Sequence, residues 1–238
     1  MKNILEAKNL IKTIREKTII DNISLEVQKN KIVGLLGPNG AGKTSTFYII
    51  AGLTNFDSGI IKLQNQDVSQ MPLHERSKVG LAYLPQESSI FPDLTVQENI
   101  LGIRQLIKDQ SNLIEIDDLI DKFNLTEVFY KKGRVLSGGE RRKTEIARTL
   151  IGNPSILLLD EPFAGIDPIA VDEIKDTLGI VKNLGISVLI TDHNVRDTLQ
   201  ICDSSYILSE GKIVASGSKN EIINDPIAKE KYFGKTFN

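Results

Sequence analysis

Residues 31–47 read KIVGLLGPNGAGKTSTF, and this stretch decides how the rest of the chain is interpreted. An apolar run over 32–36 is followed by a glycine-rich segment that ends in Lys43 and Thr44, the pattern GxxxxGK[ST] between a strand and a helix. Glycines adopt the positive φ angles of a tight loop, so several backbone N–H groups can point at one anion. The helix that follows adds the positive end of its dipole. An ordinary glycine-rich turn is the alternative, but the flanking strand and helix favour a site for nucleoside triphosphate.

Two side chains of this predicted phosphate loop have separate chemical tasks. Lys43 supplies a mobile ammonium for the β- and γ-phosphates, and Thr44 supplies a hydroxyl ligand for Mg²⁺. The predicted nucleotide-binding residues of the loop are Gly37, Pro38, Asn39, Gly40, Ala41, Gly42, Lys43, Thr44 and Ser45. The sequence therefore predicts a nucleoside triphosphate bound together with Mg²⁺.

The composition is typical of a soluble globular protein. Of 238 residues, 40% are hydrophobic and 25% are charged, and the net charge of -2 gives no overall basic field for nucleic acid. The single cysteine, Cys202, excludes an internal disulfide framework, and we expect it to be a small buried residue. No run approaches the ~20 apolar residues of a transmembrane helix, and the first ten residues lack the apolar core of a signal peptide. We expect a cytoplasmic protein that does not bind nucleic acid.

The order of strand and helix patterns predicts a single α/β domain that is interrupted by helices. Strands and helices alternate from residue 155 onward, which predicts parallel strands covered by helices on both faces. Residues 87–154 are mostly of helical pattern, with a break near 109–112. We therefore predict one domain over 1–238, with an α/β core of about 1–86 and 155–238, a helical subdomain of about 87–154 and a polar helical tail.

The N-terminal part of the chain has the pattern of β structure. Residues 4–27 alternate at period two, and Ile19 and Ile23 are predicted to share one face with the apolar positions that follow. Polar residues at 21–22 interrupt that face, which indicates a strand start or a β-bulge there.

A second motif places carboxylates beside the phosphate loop. Residues 156–161 read ILLLDE, which predicts a strand buried on both faces and followed by Asp160 and Glu161. Ligands of parallel sheets bind beyond the carboxyl ends of the strands, so Asp160 is expected to face the Mg²⁺ held by Thr44. Glu161 is the natural general base or water-orienting group. The alternative is a pair of surface acids without a role.

The third motif, LSGGE over residues 136–140, predicts a second anion site. It leads into a helix, and the backbone amides of Gly138 and Gly139 lie at the start of that helix. One chain thus carries two phosphate-binding devices. In these motifs and their order the chain resembles the ATP-binding-cassette ATPases, whose signature motif is LSGGE. The resemblance extends over nearly the whole chain.

The resemblance implies a fold, a nucleotide and a dimer. The fold is a RecA-like parallel-sheet core of the P-loop NTPase class, with an N-terminal antiparallel β subdomain and a helical subdomain. The nucleotide is ATP, and a homodimer holds two ATP molecules between its subunits. Ser137, Gly138 and Gly139 of one subunit then close on the γ-phosphate that the other subunit binds.

The same resemblance implies roles for three further sites. Gln86, after the predicted strand 80–84, matches the glutamine that reaches Mg²⁺ and the attacking water. Residues 164–167 match the loop that lies across the dimer, and His193 matches the switch histidine. The predicted catalytic residues are therefore Glu161, His193 and Gln86, and the predicted Mg²⁺ ligands are Thr44, Gln86 and Asp160.

One position departs from the family pattern. Members usually place an aromatic residue before the second strand to stack on adenine, whereas this chain has Ile14, followed by Arg15. Ile14 is expected to pack against the base, and an arginine plane also stacks on rings. The hypothesis is a weaker base selectivity than an aromatic residue gives.

Longer stretches resemble the ATPases of lipopolysaccharide export transporters. They are 72–100, 136–150, 160–171, 189–199 and 231–237. This resemblance implies a homodimer bound to two integral membrane subunits of the LptF/LptG type, with an LptC-like subunit as a further candidate, at the cytoplasmic face of the inner membrane. A groove near Phe91 and Leu94 is the expected docking place for the coupling helices of the membrane subunits.

The sequence leaves alternatives open. The ATPase of branched-chain amino-acid importers has the same chemistry and a similar length, but DHNV at 192–195 favours export because those importers tend to have EHD there. A soluble cassette protein that acts on ribosomes or DNA usually carries two cassettes or a long coiled-coil insertion, and this chain has neither. A nucleotide-binding scaffold without turnover is disfavoured by Glu161 and His193.

Overall fold

Two β-sheets form the centre of the chain in the computed structural model, which describes residues 2–107 and 113–230. The strands, in chain order, are β1 (Asn3–Ile14), β2 (Lys17–Gln28), β3 (Ile32–Leu36), β4 (Ser58–Leu63), β5 (Gln66–Asp67), β6 (Leu81–Leu84), β7 (Ile156–Asp160), β8 (Ser187–Thr191), β9 (Ser204–Ser209) and β10 (Lys212–Gly217). The helices are α1 (Lys43–Ala51), α2 (Leu73–Lys78), α3 (Val96–Leu106), α4 (Ile116–Lys122), α5 (Gly138–Leu150), α6 (Pro168–Asn183), α7 (Val195–Ile201), α8 (Lys219–Asn224) and α9 (Pro226–Ala228).

The two sheets differ in strand direction. The first has the order β2-β1-β4-β5 and is antiparallel, whereas the second has the order β10-β9-β3-β8-β7-β6 and is parallel except for β10. Because the parallel strands run in one direction, their carboxyl ends meet along one edge of the sheet. The fold class predicted from the sequence, a parallel α/β core with an N-terminal antiparallel sheet, is confirmed.

The parallel sheet separates two hydrophobic cores. On β7, Leu157 and Leu159 contribute to a core that includes residues of α3, α4, α5 and α6. Their neighbours Ile156 and Leu158 contribute to a core shared with α1 and the antiparallel sheet. This alternation buries both faces of β7, as the unbroken apolar run predicts, and it holds the carboxyl end of the strand in place.

One prediction about the first sheet is wrong. Leu10 pairs with Ile23 and Lys12 pairs with Ile20, so β2 advances by one residue more than β1 between these pairs. Such an extra residue is a β-bulge, and it reverses the side on which the preceding side chains lie. Ile20 is therefore fully buried, whereas Ile19, which was expected on that face, is half-buried. The bulge is where the polar residues at 21–22 indicated an interruption.

Between β6 and β7 the described elements are helices α3 to α5 and two short 3-10 turns, Thr126–Val128 and Gly133–Val135. Helix α3 begins with a capping box: the Glu98 backbone N–H donates to Thr95 Oγ1 (3.1 Å), and the Thr95 N–H donates to Glu98 Oε2 (2.7 Å). The predicted break near 109–112 and the C-terminal stretch 231–237 lie outside the described residues. No helix in the described ranges has the length and apolar character that crossing a membrane requires.

Candidate active site

The loop between β3 and α1 takes its shape from glycine. Gly37, Gly40 and Gly42 have φ angles of 155°, 79° and 105°. A Cβ atom on Gly37 would lie 2.1 Å from the carbonyl oxygen of Leu208, so a larger residue does not fit there. At Gly40 a Cβ atom would meet no atom within 4 Å, so glycine is favoured there only by the positive φ angle.

The lysine of this loop is already folded into it. Lys43 is buried, and its Nζ donates to the carbonyl oxygens of Gly37 (2.7 Å) and Pro38 (3.1 Å). Burial lowers the pKa of Lys43, while the nearby carboxylates of Glu161, Asp192 and Asp160 act in the opposite direction. The ammonium thus has neutral partners inside the loop, and a bound phosphate would offer it a charged one.

The other predicted loop residues surround this ammonium at different depths. Pro38, Asn39 and Gly40 are exposed, and so is Thr44 in the first turn of α1. The less accessible members are Gly37, Ala41, Gly42 and Ser45. The loop therefore presents an accessible surface at 38–40 and an accessible hydroxyl at Thr44.

The carboxyl end of β7 carries a buried carboxylate. Asp160 is the last residue of the strand, and its Oδ1 accepts from Thr191 Oγ1 of β8 (2.6 Å). Tyr83 Oη of β6 donates to Asp160 Oδ2 over 3.5 Å. Burial raises the pKa of Asp160, and the Thr191 hydrogen bond acts against that shift. Three neighbouring strands thus orient this carboxylate at the edge of the sheet.

Glu161 and His193, which lie far apart in the sequence, come together at this edge. Glu161 has a φ of 43°, and its N–H donates to the Thr191 carbonyl oxygen (2.9 Å). Its Oε2 lies 3.3 Å from His193 Nδ1. The His193 side chain is 57% exposed and that of Glu161 is 18% exposed, so both are accessible to a ligand or a water molecule. A carboxylate and an imidazole in contact can share a proton or orient a water.

Asp192 belongs to the same site, and the sequence reasoning missed it. Its side chain is fully buried; Oδ2 accepts from the Phe163 N–H (3.1 Å) and Oδ1 accepts from the Asn194 N–H (2.7 Å). Burial raises the pKa of this carboxyl. Asp192 therefore ties the loop after β7 to the loop that carries His193. The signal in the sequence was an aspartate directly after the apolar strand pattern, because an aspartate side chain often accepts from the backbone N–H two residues later.

Gln86 lies at the same sheet edge. It is exposed and follows β6, in which Leu84 pairs with Leu159 of β7. Since Gln86 and Glu161 each stand two residues beyond that pair, they emerge at corresponding levels of neighbouring strands. The structure thus brings Lys43, Asp160, Glu161, His193 and Gln86 to the carboxyl edge of one sheet.

The predicted second anion site lies at the start of α5. Ser137 caps the helix: its Oγ accepts from the Glu140 N–H (3.2 Å), and Glu140 Oε2 accepts from the Ser137 N–H (2.7 Å). Gly138 is exposed, whereas Gly139 is buried and a Cβ there would lie 2.9 Å from Ala170 Cβ of α6. The two glycines therefore differ, because Gly138 faces solvent and Gly139 allows α5 to approach α6.

A buried arginine connects α5 with the carboxyl ends of β6 and β7. Arg142 Nη1 donates to the Pro85 carbonyl oxygen (3.0 Å) and to Glu145 Oε2 (3.1 Å), and Nη2 donates to the Asp160 carbonyl oxygen (3.3 Å). Burial lowers the pKa of Arg142, and Glu145 acts against that shift. Sequence reasoning missed both residues. Their signal is the opposite charge at i, i+3 spacing on a helix.

The position expected to contact the base lies at the end of β1. Ile14 is 47% exposed, and the next two residues, Arg15 and Glu16, form the turn to β2 with φ angles of 46° and 65°. The Ile14 side chain is therefore accessible to a ligand. Its role toward a base stays a prediction.

A groove of about 1540 Å³ runs between the parallel sheet and the inserted helices. Apolar residues contribute to its wall from several elements: Leu53, Leu73, Tyr83, Ile103, Leu106, Ile107 and Leu113. Phe91 and Leu94, around which a docking groove was expected, are 56% and 39% exposed, and neither of them lines this groove. Arg148 connects the groove with Phe91, because it lines the groove and its guanidinium carbon lies 5.6 Å from the Phe91 ring centre.

Comparison with known proteins gives consistent matches. Residues 20–164 match the family described as ABC transporter. The chain is 48% identical over 238 residues to the lipopolysaccharide export system ATP-binding protein LptB of Haemophilus influenzae, covering 99% of each chain. It is 46% identical over 236 residues to LptB of Escherichia coli K12, covering 98% of each. Among solved structures, the ADP conformation of MJ1267, an ATP-binding cassette of an ABC transporter, superposes with a TM-score of 0.86 at 27% identity, covering 99% of this chain and 100% of that one.

Proposed function

The chain belongs to the ABC transporter family of ATP-binding-cassette proteins, and from this premise we propose that it powers lipopolysaccharide export. As an ATPase of this family it binds ATP and hydrolyses it to ADP and phosphate. The proposal adds the cargo: lipopolysaccharide extracted from the inner membrane toward the outer membrane. Two LptB relatives at 48% and 46% identity over nearly the whole chain support it. The observation that carries the chemistry is the contact between Glu161 Oε2 and His193 Nδ1 (3.3 Å). It lies at the carboxyl edge of the parallel sheet, where the phosphate loop also begins.

The proposed hydrolysis uses Lys43, Glu161 and His193. Lys43 exchanges its carbonyl partners for the β- and γ-phosphate oxygens of ATP, and the amides of the loop bind the remaining charge. Glu161 orients the attacking water, and His193, in contact with that carboxylate, faces the γ-phosphate. Fixed donors of this kind stabilise the charge that spreads over the transferred phosphoryl group.

Mg²⁺ fits the oxygen donors at this edge. Thr44 offers an accessible hydroxyl, Asp160 a carboxylate and Gln86 an amide oxygen, and Mg²⁺ in nucleotide sites usually takes one or two protein oxygens plus phosphates and waters. In the described ranges no group of three or more His, Cys, Asp or Glu is placed to hold a metal. The ion would neutralise phosphate charge there.

In a homodimer, the second anion site would bind the nucleotide that the other copy holds. Gly138 at the start of α5 is exposed, and Ile169, next to the loop 164–167, is 78% exposed. In the proposed dimer, Ser137, Gly138 and Gly139 of one copy close on the γ-phosphate held by Lys43 of the other. Hydrolysis removes that shared phosphate, and the dimer opens.

The groove beside Phe91 is the proposed docking place for the membrane partners. Its apolar wall fits the apolar face of an amphipathic helix, which is a common mode of helix recognition. We assign it to coupling helices of two LptF/LptG-like subunits, with an LptC-like subunit as a further member of the complex. The chain is then peripheral on the cytoplasmic face of the inner membrane.

Co-purification from membranes tests the cargo and the partners. A tagged Glu161→Gln variant keeps the size of the side chain but loses its charge, so it should bind ATP while hydrolysis falls by about a hundredfold or more. Recovery of two distinct multi-span subunits, and accumulation of lipopolysaccharide in the inner membrane on depletion, is the expected result. The matched control is Glu127→Gln, the same chemical change at an exposed position of a 3-10 turn, which should keep full hydrolysis.

Other outcomes would redirect the assignment. Amino-acid permease subunits in the eluate would move the chain to the importer ATPases. Ribosomes or DNA without membrane subunits would discard transport. Full hydrolysis by Glu161→Gln would remove that residue from the catalytic role.

A separate prediction concerns the base. If Ile14 limits stacking, Ile14→Tyr should tighten ATP binding by about fivefold and raise the preference for ATP over GTP, since stacking on an aromatic ring contributes about 1 kcal/mol or more. Nucleotide titrations of both proteins measure this. Equal affinity and an unchanged ATP to GTP ratio would contradict the hypothesis.

A further inference from the structure

Residues 85–91 connect the catalytic edge of the sheet with the proposed docking groove. Gln86 stands at the catalytic edge of the sheet, and Phe91 stands beside the groove. The segment between them contains neither helix nor strand. It therefore has no backbone ladder to hold it, and the side chains that contact it decide its position.

One carboxylate accepts hydrogen bonds from three residues of this segment. Glu145 lies on α5, and its side chain is only 3% exposed. Its Oε1 accepts from Ser88 Oγ (2.7 Å), from the Ser89 N–H (2.8 Å) and from the Ile90 N–H (3.3 Å). The other oxygen, Oε2, accepts from Arg142. Three consecutive residues are thus bound to a single oxygen atom of α5, the signature helix, which begins within the LSGGE motif.

Two arginines on the same helix extend this contact in both directions. Arg142 Nη1 donates to the carbonyl oxygen of Pro85, the neighbour of Gln86. Arg148 Nη2 donates to the Ser89 carbonyl oxygen (2.8 Å) and to its hydroxyl (2.7 Å), and its guanidinium lies over Phe91. Residues 142, 145 and 148 are spaced by three, so they lie along one side of α5.

We propose that Glu145 is a positioning residue that holds Gln86 and Phe91 in fixed relation to the signature helix. The inference rests on the proposed function for what the two ends contact. When α5 moves as its N-terminus engages nucleotide across the dimer, residues 85–91 move with it. The partner helix and the catalytic edge are then coupled through one buried carboxylate.

The geometry explains why glutamate is needed. A buried charge is stable only when donors surround it, and Glu145 has four. Glutamine at 145 keeps an oxygen for the segment but turns an N–H₂ group toward Arg142, so two donors face each other. Alanine removes both oxygens. We therefore expect Glu145→Ala to loosen residues 85–91 more than Glu145→Gln does.

Amide hydrogen exchange of the purified chain tests the positioning directly. In Glu145→Ala the amides within 85–91 should exchange about tenfold faster or more, because Ser89 and Ile90 lose their acceptor. Glu145→Gln should give a smaller increase, and the control Glu127→Gln none. The phosphate loop should keep its wild-type exchange and its ATP affinity in all variants.

Hydrolysis measured with and without the membrane partners tests the coupling. At saturating ATP, Glu145→Ala should lose about tenfold in the stimulation by partners, with the ATP dissociation constant within about twofold of wild type. A purely architectural role would instead lower binding and turnover together, in proportion to the folded fraction. Ser88→Ala is the second variant, since Ser88 is exposed and its loss removes one donor without a cavity; it should lower the stimulation about threefold.

The two proposals fail in different ways. If wild type recovers no membrane subunits, the proposed function is wrong, while the exchange result still decides the positioning role. If the partners stimulate wild type and Glu145→Ala equally, or if the exchange within 85–91 is unchanged, the inference is wrong and the proposed function stands.

Discussion

The phosphate loop and the segment 85–91 both begin at the carboxyl edge of the parallel sheet but are held in opposite ways. In the phosphate loop, Lys43 donates to carbonyl oxygens five and six residues earlier in the chain. In the segment 85–91, the hydrogen bonds to Glu145 and Arg148 bridge 55 to 59 residues. The lysine of one loop is thus held by nearby residues of the same loop, and the other loop takes its shape from a helix that packs against it.

This difference bears on how each loop responds to change. A loop closed by local contacts and glycine angles is shaped before any ligand arrives, so a wrong residue there acts through strain. A segment bound to a distant helix is as rigid as its contacts with that helix, so a wrong residue there acts through an unpaired buried group.

The first prediction concerns strain in the phosphate loop. Gly37→Ala would place Cβ 2.1 Å from a backbone oxygen of β9, which cannot move without breaking the sheet. We expect a loss of more than about 4 kcal/mol in the free energy of unfolding, at the upper end of single substitutions. Gly40→Ala is the control: it meets no atom within 4 Å and retains only the cost of φ 79°, about 1 kcal/mol. Chemical denaturation measures both, and equal losses would contradict the role of Leu208.

The second prediction concerns Arg142, a buried residue of α5 that donates a hydrogen bond to the segment 85–91. Arg142→Ala removes the partner of Pro85 and leaves Glu145 without its cation, so we expect a loss of about 3 kcal/mol. The control is Arg134→Ala, which breaks the ion pair with Asp93. The Arg134 side chain is 59% exposed and that of Asp93 is 77% exposed. Surface pairs contribute about 0–1 kcal/mol, so this variant should unfold almost as wild type does. A loss below about 1 kcal/mol in Arg142→Ala would mean that solvent or another group replaces the arginine.

The same distinction explains what the sequence predicted. GxxxxGK[ST] is contiguous, and the strand before it and the helix after it follow from local pattern, so the sequence predicts the phosphate loop and the presence of a helix after it. Asp160 and Glu161 were placed at the same edge because parallel strands share their carboxyl ends. Their roles, and that of His193, are proposals that the contact over 3.3 Å supports.

What the sequence did not predict depends on contacts between distant residues. Glu145 stands in a polar run, RRKTE, that looks solvent-exposed on a helix, and its burial follows only from the packing of the segment 85–91 against α5. Ile20 replaced Ile19 in the core because the alternating pattern does not show how many residues a bulge inserts. The position of the groove relative to Phe91 likewise depends on how the inserted helices sit on the sheet.

The third prediction, the smallest in effect, tests the packing behind the phosphate loop. Gly34 of β3 leaves space into which Cys202 Sγ reaches, and a Cβ at 34 would lie 3.1 Å from it. Burial raises the pKa of the Cys202 thiol from 9.0 to about 12, so the folded protein keeps the thiol protonated where the unfolded chain ionises it. The unfolded state then binds fewer protons between about pH 9 and pH 12, and stability falls as the pH rises through this window.

At pH 10 this linkage amounts to roughly 1.4 kcal/mol, the cost of one pH unit above the unfolded pKa. Urea unfolding at pH 7.5 and pH 10 measures it, with Cys202→Ala as the comparison, because the lysines and tyrosines that also titrate are shared by both proteins. We expect wild type to lose about 1.4 kcal/mol more than the variant between the two pH values. Equal losses would mean that water reaches the thiol in the folded state. The strand that leads into the phosphate loop would then pack, at Gly34, against a solvated thiol of the half-buried Cys202.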